Sequence, residues 1–139
     1  MNRSRSKSLL SEIAGVKVVE NGISSPSYNL RAMNLKDIAE VEKVLTETIL
    51  AAHENVEAVE VCFVFECVLV YMPVEASDRL LRLFGDTFPH ASVVSYEQVN
   101  LNDRFGQVML ENLVARGCGL GTVSILISKS KQLLMFALH

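Results

Sequence analysis

The chain has no tryptophan, only three prolines and seven glycines, and 6% aromatic residues. Repetitive, collagen-like and glycine- or proline-rich architectures are thereby excluded. Its three cysteines, Cys62, Cys67 and Cys118, are odd in number and form no Cys-x-x-Cys pair. No disulfide framework is readable from them, and a reduced, cytoplasmic setting is expected. The three histidines, His53, His90 and His139, are scattered without ligand spacing, so no metal site is expected. An excess of basic charge is also missing. Thirteen Lys and Arg stand against sixteen Asp and Glu, a net charge of −3, which argues against a nucleic-acid binder. No apolar run is long and uncharged enough to cross a bilayer, so no membrane association is expected. Near the start, Leu9-Leu10 is followed at once by Ser11 and Glu12. No signal-peptide core exists there, and Arg3, Arg5 and Lys7 read as the solvated start of a helix over residues 4–13.

What is present is half hydrophobic, within 139 residues, enough for one domain or part of one. Its longest apolar run is Val61-Cys-Phe-Val-Phe-Glu-Cys-Val-Leu-Val-Tyr-Met72. Such β-branched and aromatic composition suits a strand buried on both faces, as in a parallel sheet. An ionised Glu66 inside it would be costly, so the strand is expected to end near Phe65 with Glu66 at its carboxyl end. That is where open α/β sheets bind ligands.

Other elements follow from periodicity and caps. Val16 to Glu20 reads as extended, Asn21-Gly22 as a turn, Ser24 to Ser27 as loop, and residues 28–35 as a strand. Asp37 can cap a helix whose buried face is Ile38, Val41, Leu45, Thr48, Ile49 and Ala52, ending near His53. Pro73 suits the first position of the next helix, with Ala76, Leu80, Leu83, Phe84 and Phe88 as its buried stripe and Pro89 as its stop. Residues 91–96 read as a strand. Asp103 can cap a third helix with Phe105, Val108, Met109, Asn112 and Leu113 inward and Gly117 as its left-handed terminator. Alternating strand and helix predict an α/β fold with a mainly parallel sheet and flanking helices. The tail beyond Gly121 reads as an added strand or a docked helix. Gly117-Cys-Gly-Leu-Gly121 follows a helix rather than a strand, which disfavours a phosphate or cofactor loop.

Four blocks carry a resemblance: Glu66-Cys-Val-Leu-Val-Tyr-Met72, Tyr96-Glu-Gln-Val-Asn100, Asp103-Arg-Phe-Gly106 and Met109-Leu-Glu-Asn-Leu113. In that order and spacing they resemble the leucine carboxyl methyltransferase family, over about residues 28–117, with a divergent tail over 121–139. The resemblance implies one partial, Rossmann-like domain over 1–139, dependent on S-adenosylmethionine. It implies methylation of the C-terminal leucine carboxylate of the protein phosphatase 2A catalytic subunit. A monomer is the expected state. The family's N-terminal glycine-rich motif has no counterpart here, so an incomplete form is expected, with tight cofactor binding by the chain alone not expected.

Carried over by position, Glu66 looks like the family's acidic cofactor ligand, and Asn34-Leu35 like its Asp-Leu pair beside the adenine. An asparagine oxygen still accepts from an amino group, without the charge that strengthens the bond. Tyr71, with Arg104 as a candidate cation, looks like part of the substrate-carboxylate site. Each residue keeps a plainer reading. Glu66 can cap backbone N–H groups at a strand end, and Asn34 can be a turn residue. Tyr71 can be an aromatic at the core's rim, and Arg104 can pair with Asp103 or Glu111. Two other functions stay open: a non-catalytic protein-binding module, and the related branch acting on a hypermodified guanosine of transfer RNA.

Overall fold

The computed structural model describes residues 15–98, 101–121 and 133–138. The expected helix over 4–13 and the alternating Val123, Ile125 and Ile127 lie outside the described residues. The chain divides into two compact units, Met1–Ala52 and His53–His139, each of which has its own sheet.

The first unit begins with an antiparallel meander of three short strands, β1 (Lys17–Val19), β2 (Gly22–Ser24) and β3 (Asn29–Arg31). Val19 pairs with Gly22 across Glu20-Asn21, one residue earlier than the expected turn. Gly22 is required there, because a Cβ would collide with the Leu30 carbonyl. The β2–β3 turn is closed by Ser25, whose N–H donates to the Tyr28 carbonyl at 2.8 Å and whose Oγ accepts from the Tyr28 N–H at 3.0 Å. The strand expected over 28–35 is therefore only Asn29–Arg31, in an antiparallel sheet. It stops because Asn34 turns the chain: its Oδ1 accepts from the Lys36 N–H at 3.1 Å, and its carbonyl from the Asp37 N–H at 2.9 Å. Asp37 then caps α1 (Ile38–Thr48) by accepting from the Glu40 N–H at 3.2 Å. Val41 is buried, Ile38, Leu45, Thr48 and Ile49 are half-buried, and Glu42, Lys43 and Glu47 are exposed. The face is the expected one as far as Ile49; Ala52, also expected inward, is exposed. The α-helix ends sooner than expected, at Thr48, whose hydroxyl donates back to the Val44 carbonyl, and a 3₁₀ turn spans Leu50–Ala52.

In the second unit β4 (Glu60–Glu66), α2 (Val74–Thr87) and β5 (His90–Tyr96) form a strand–helix–strand crossover. The two strands are parallel, in a register running from Glu60 opposite His90 to Glu66 opposite Tyr96. Pro73 stands one residue before the helix, as its N-cap. Ala76, Leu80, Phe84 and Phe88 recur every four residues and are all buried. They meet one sheet face: the Phe63 and Phe84 rings stack at 3.8 Å between centroids, with Phe65 and Phe88 beside them. Across the register the same face carries Ala91, Val93 and Ser95, all buried.

Three findings depart from expectation. First, among the described residues of this unit β4 is covered on one face rather than two, and Val64 on the other face is 70% exposed. Second, β6 (Leu133–Leu138), the added strand that is one of the two readings of the tail, pairs antiparallel with β5 and makes β5 central, so the added pairing is not parallel. Of the described strand pairings only β4–β5 is parallel, so the mainly parallel sheet is corrected to a mixed α/β arrangement. Third, α3 (Arg104–Ala115), capped by Asp103 onto the Gly106 N–H at 2.6 Å, keeps only Met109 and Leu113 of the expected stripe half-buried and leaves Phe105, Val108 and Asn112 exposed. Phe105 is 78% exposed, whereas Gly106 is buried and Met109, Leu110 and Leu113 are half-buried. The helix lies so close to Leu101 that a Cβ on Gly106 would meet that backbone at 2.6 Å. The absent side chain sets the rotation that the apolar stripe alone did not.

Truncating Phe84 to alanine should lower unfolding free energy by about 3–5 kcal/mol in urea titration, because an aromatic slab is replaced by a cavity. Phe105→Ala should stay within about 0.5 kcal/mol of the parent in the same measurement.

Candidate functional site

Glu66 is the last residue of β4 and is exposed. The strand leaves the sheet by a left-handed residue, Cys67 (φ 51°), an uncommon conformation for a side chain with a Cβ. Two bonds hold this exit to the end of β5. The Cys67 N–H donates to the Tyr96 carbonyl at 2.8 Å. The Leu69 N–H, opening the 3₁₀ turn Leu69–Tyr71, donates to Glu97 Oε1 at 3.1 Å. The Ser95 hydroxyl donates to the same carboxylate oxygen at 3.1 Å. Glu97 Oε2 and the neighbouring Gln98 Oε1 are buried with no hydrogen-bond partner among the described residues.

Two carboxylates thus flank one exit turn. Burial, then Glu97, then Glu66 push the Cys67 thiol above its ordinary range, so it stays protonated at neutral pH. The same field favours a cationic or donor-rich ligand at this end of the sheet and disfavours an anion. The residue the sequence reading missed is Glu97. Its signal was present, since an acidic residue directly follows a predicted strand end, but only the fold brings it to Leu69 across 28 positions.

Tyr71, 41% exposed at the end of the 3₁₀ turn, lines a hollow of about 510 Å³ with Leu113, Arg116, Gly117, Cys118 and Gly119. Arg116, rather than Arg104, is the cation of this hollow. Arg104 is the exposed first residue of α3 and makes no ion pair among the described residues. Gly117 (φ 72°) ends α3 as expected: its N–H donates to the Val114 carbonyl at 3.0 Å and the Cys118 N–H to the Leu113 carbonyl at 2.9 Å. The Gly121 N–H donates to the Val70 carbonyl at 2.8 Å, and a Cβ on Gly121 would strike the Met72 carbonyl. These glycines terminate a helix and fold the chain over the Val70–Met72 backbone, a structural task that leaves those amides engaged.

Asn34 and Leu35 belong to the first unit, and Glu66, Tyr71 and Arg104 to the second. Asn34 is exposed and serves the turn described above, its N–H donating to Glu40 Oε2 at 3.2 Å; Leu35 is half-buried. Among the described residues no group of His, Cys, Asp and Glu is arranged to hold a metal ion. No helix among them is long and apolar enough to cross a membrane.

No protein-family model matches the chain. Among curated proteins, leucine carboxyl methyltransferase 1 of Bos taurus is 37% identical over 110 residues, 79% of this chain and 32% of that protein. The Rattus norvegicus protein of the same name is 37% identical over 116 residues, 81% of this chain and 33% of its own. The Arabidopsis thaliana homolog is 29% identical over 119 residues, 86% of this chain and 34% of its own. The chain spans about a third of the length of these relatives.

Replacing Glu97 by alanine should release the exit turn, read as faster amide hydrogen exchange at Leu69. Glu97→Gln keeps an acceptor and should preserve that protection, while lowering the pH midpoint of Cys67 alkylation because one of the two repelling charges is gone. Because folding raises this thiol, its contribution to stability is fully present below its unfolded value and is lost as pH rises from there through its folded value.

Proposed function

For a chain that is a partial relative of the leucine carboxyl methyltransferase family, we propose that it carries part of an S-adenosylmethionine-dependent carboxyl methyltransferase. On this reading residues 1–139 are one incomplete Rossmann-like domain of a cytoplasmic protein. The substrate is the C-terminal leucine carboxylate of the protein phosphatase 2A catalytic subunit. The observation that carries the reading is the acidic exit of a parallel strand: Glu66 ends β4, and Glu97 holds the turn beside it with one buried oxygen unpartnered among the described residues. A cationic cofactor suits that charge, and the carboxyl end of parallel strands is the usual ligand position in open α/β sheets.

The cofactor, when bound, supplies a methyl group on a positively charged sulfur. The chain's own residues have simpler tasks. Glu66 receives the cationic or amino-bearing part of the ligand. Tyr71 donates a hydrogen bond to the substrate carboxylate, and Arg116, the cation of the same hollow, fixes its other oxygen. That carboxylate is already ionised, since an α-carboxyl titrates near ~3.5, so no general base is required. The work is alignment and removal of water. Too strong a hold on the nucleophilic oxygen would slow the transfer, which favours one hydroxyl and one cation over a denser clamp.

A second reading, a non-catalytic module that binds the phosphatase tail, draws support from one feature. Among the described residues neither parallel strand is followed by a glycine-rich turn, since β4 exits through Cys67-Val68 and β5 through Glu97-Gln98.

The first reading predicts weak cofactor binding by the chain alone. Titration with millimolar S-adenosylmethionine should shift amide resonances at Glu66 to Tyr71, and Glu66→Gln should abolish those shifts. Neutral S-adenosylhomocysteine should produce smaller ones. Shifts confined to other regions would sink the assignment, and micromolar binding by calorimetry would sink the claim that the site is incomplete. Binding of a phosphatase-tail peptide without any cofactor response would favour the second reading.

A further inference from the structure

Tyr71 reaches its hollow from a turn with little bonding of its own. Within Leu69–Tyr71 the Tyr71 N–H donates to the Val68 carbonyl at 3.2 Å and the Met72 N–H to the Leu69 carbonyl at 3.0 Å. Two such bonds do not hold a turn in isolation. Burial of Val70 and Met72, 1% and 5% exposed, keeps the segment against the core of its unit. Burial is non-directional, however, and leaves the rotation of the turn open. Directional bonds at its two ends set that rotation. At the far end the Val70 carbonyl accepts from the Gly121 N–H at 2.8 Å. At the near end Val68 stands in the capping position and supplies no side-chain bond. The cap comes instead from Glu97 Oε1, 28 positions away, which accepts from the Leu69 N–H at 3.1 Å.

We propose that Glu97 is the positioning residue of the Tyr71 hollow: by capping Leu69 from the end of β5, it aims Tyr71 at the substrate carboxylate. The inference rests on the reading of Tyr71 as the hydroxyl that meets that carboxylate. It gives Glu97 a task separate from the charge it adds beside Glu66.

The geometry around Glu97 is that of an acceptor placed for direction. Its carboxylate is itself oriented, because the buried Ser95 hydroxyl, 6% exposed, donates to the same Oε1 at 3.1 Å. One oxygen thus takes two donors from two elements, which fixes the side chain together with the peptide it caps. The Cys67 N–H, on the Tyr96 carbonyl at 2.8 Å, ties the exit turn to the end of β5 a second time. The capped residue opens the turn and Tyr71 closes it, so a rotation at Leu69 is carried to the phenol two residues on. Neither donor requires a negative charge on its acceptor. A neutral amide oxygen in the same place accepts both bonds. A group that served a cationic ligand by its charge would not tolerate that exchange.

The test is a double-mutant cycle on affinity for a phosphatase-tail peptide with a free leucine carboxylate, compared with the same peptide as its C-terminal amide. Binding is read from amide shifts at Arg116 and Gly117, and the parent should prefer the free acid. Tyr71→Phe should weaken binding of the acid about five- to tenfold, the worth of one hydrogen bond. Glu97→Ala should cause a loss of similar size, yet add nothing on the Tyr71→Phe background, because it acts through that hydroxyl. Glu97→Gln, which keeps the acceptor, should bind within about twofold of the parent. Should Glu97→Ala lose the native circular dichroism, Glu97→Asp, one methylene short of Leu69, takes its place in the cycle. Losses that add, or a Glu97→Ala protein that binds as the parent does, overturn the positioning role and leave the reading of Tyr71 standing. A Glu97→Gln protein as weak as Glu97→Ala overturns it as well, since charge would then be the property that matters. A parent that binds acid and amide alike overturns the reading of Tyr71 and the inference with it.

Discussion

The second unit depends on the aromatic contact between Phe63 of β4 and Phe84 of α2. Their rings stack at 3.8 Å, with Phe65 and Phe88 completing the slab. Buried aromatic pairs combine a large apolar area with a preferred geometry. Here the slab fixes which face of β4 is inside, and the parallel register to β5 then follows from matching Val61, Phe63 and Phe65 to Ala91, Val93 and Ser95. The position of Glu66 is a consequence. With Phe65 inward, the next residue faces the other way at the strand's end, in water.

At that end the chain concentrates negative charge with little to neutralise it. Glu97 uses one oxygen to join the exit turn to β5 and leaves the other buried and unpartnered among the described residues. The raised Cys67 thiol reports the same field from within the turn. Tyr71, at the end of the same 3₁₀ turn, lines a hollow with the end of α3 and Arg116.

The chain spans about a third of the length of its leucine carboxyl methyltransferase relatives, and its second unit has the physical character of a part. A parallel pair is normally covered on both faces. Among the described residues of this unit α2 covers one face, whereas Val64 on the other is exposed.

Much of this was legible in the residues. Local chemistry needs no knowledge of distant partners, so the caps at Asp37 and Asp103, the stop at Gly117, the strand end at Glu66 and the four-residue stripe of α2 were all readable along the chain. What the sequence could not determine depends on what lies across from each element. Whether β4 would be covered on one face or two, whether β6 would be a strand, and whether residues 28–35 would join a parallel sheet are questions of neighbours. The rotation of α3 was decided by the close approach of Gly106 to Leu101, and the role of Glu97 by a bond spanning 28 positions. The sequence by itself determined where elements begin, end and carry charge, because those follow from each residue and its few nearest positions. Tertiary structure alone decided which surfaces meet, because burial and long-range hydrogen bonding are properties of pairs.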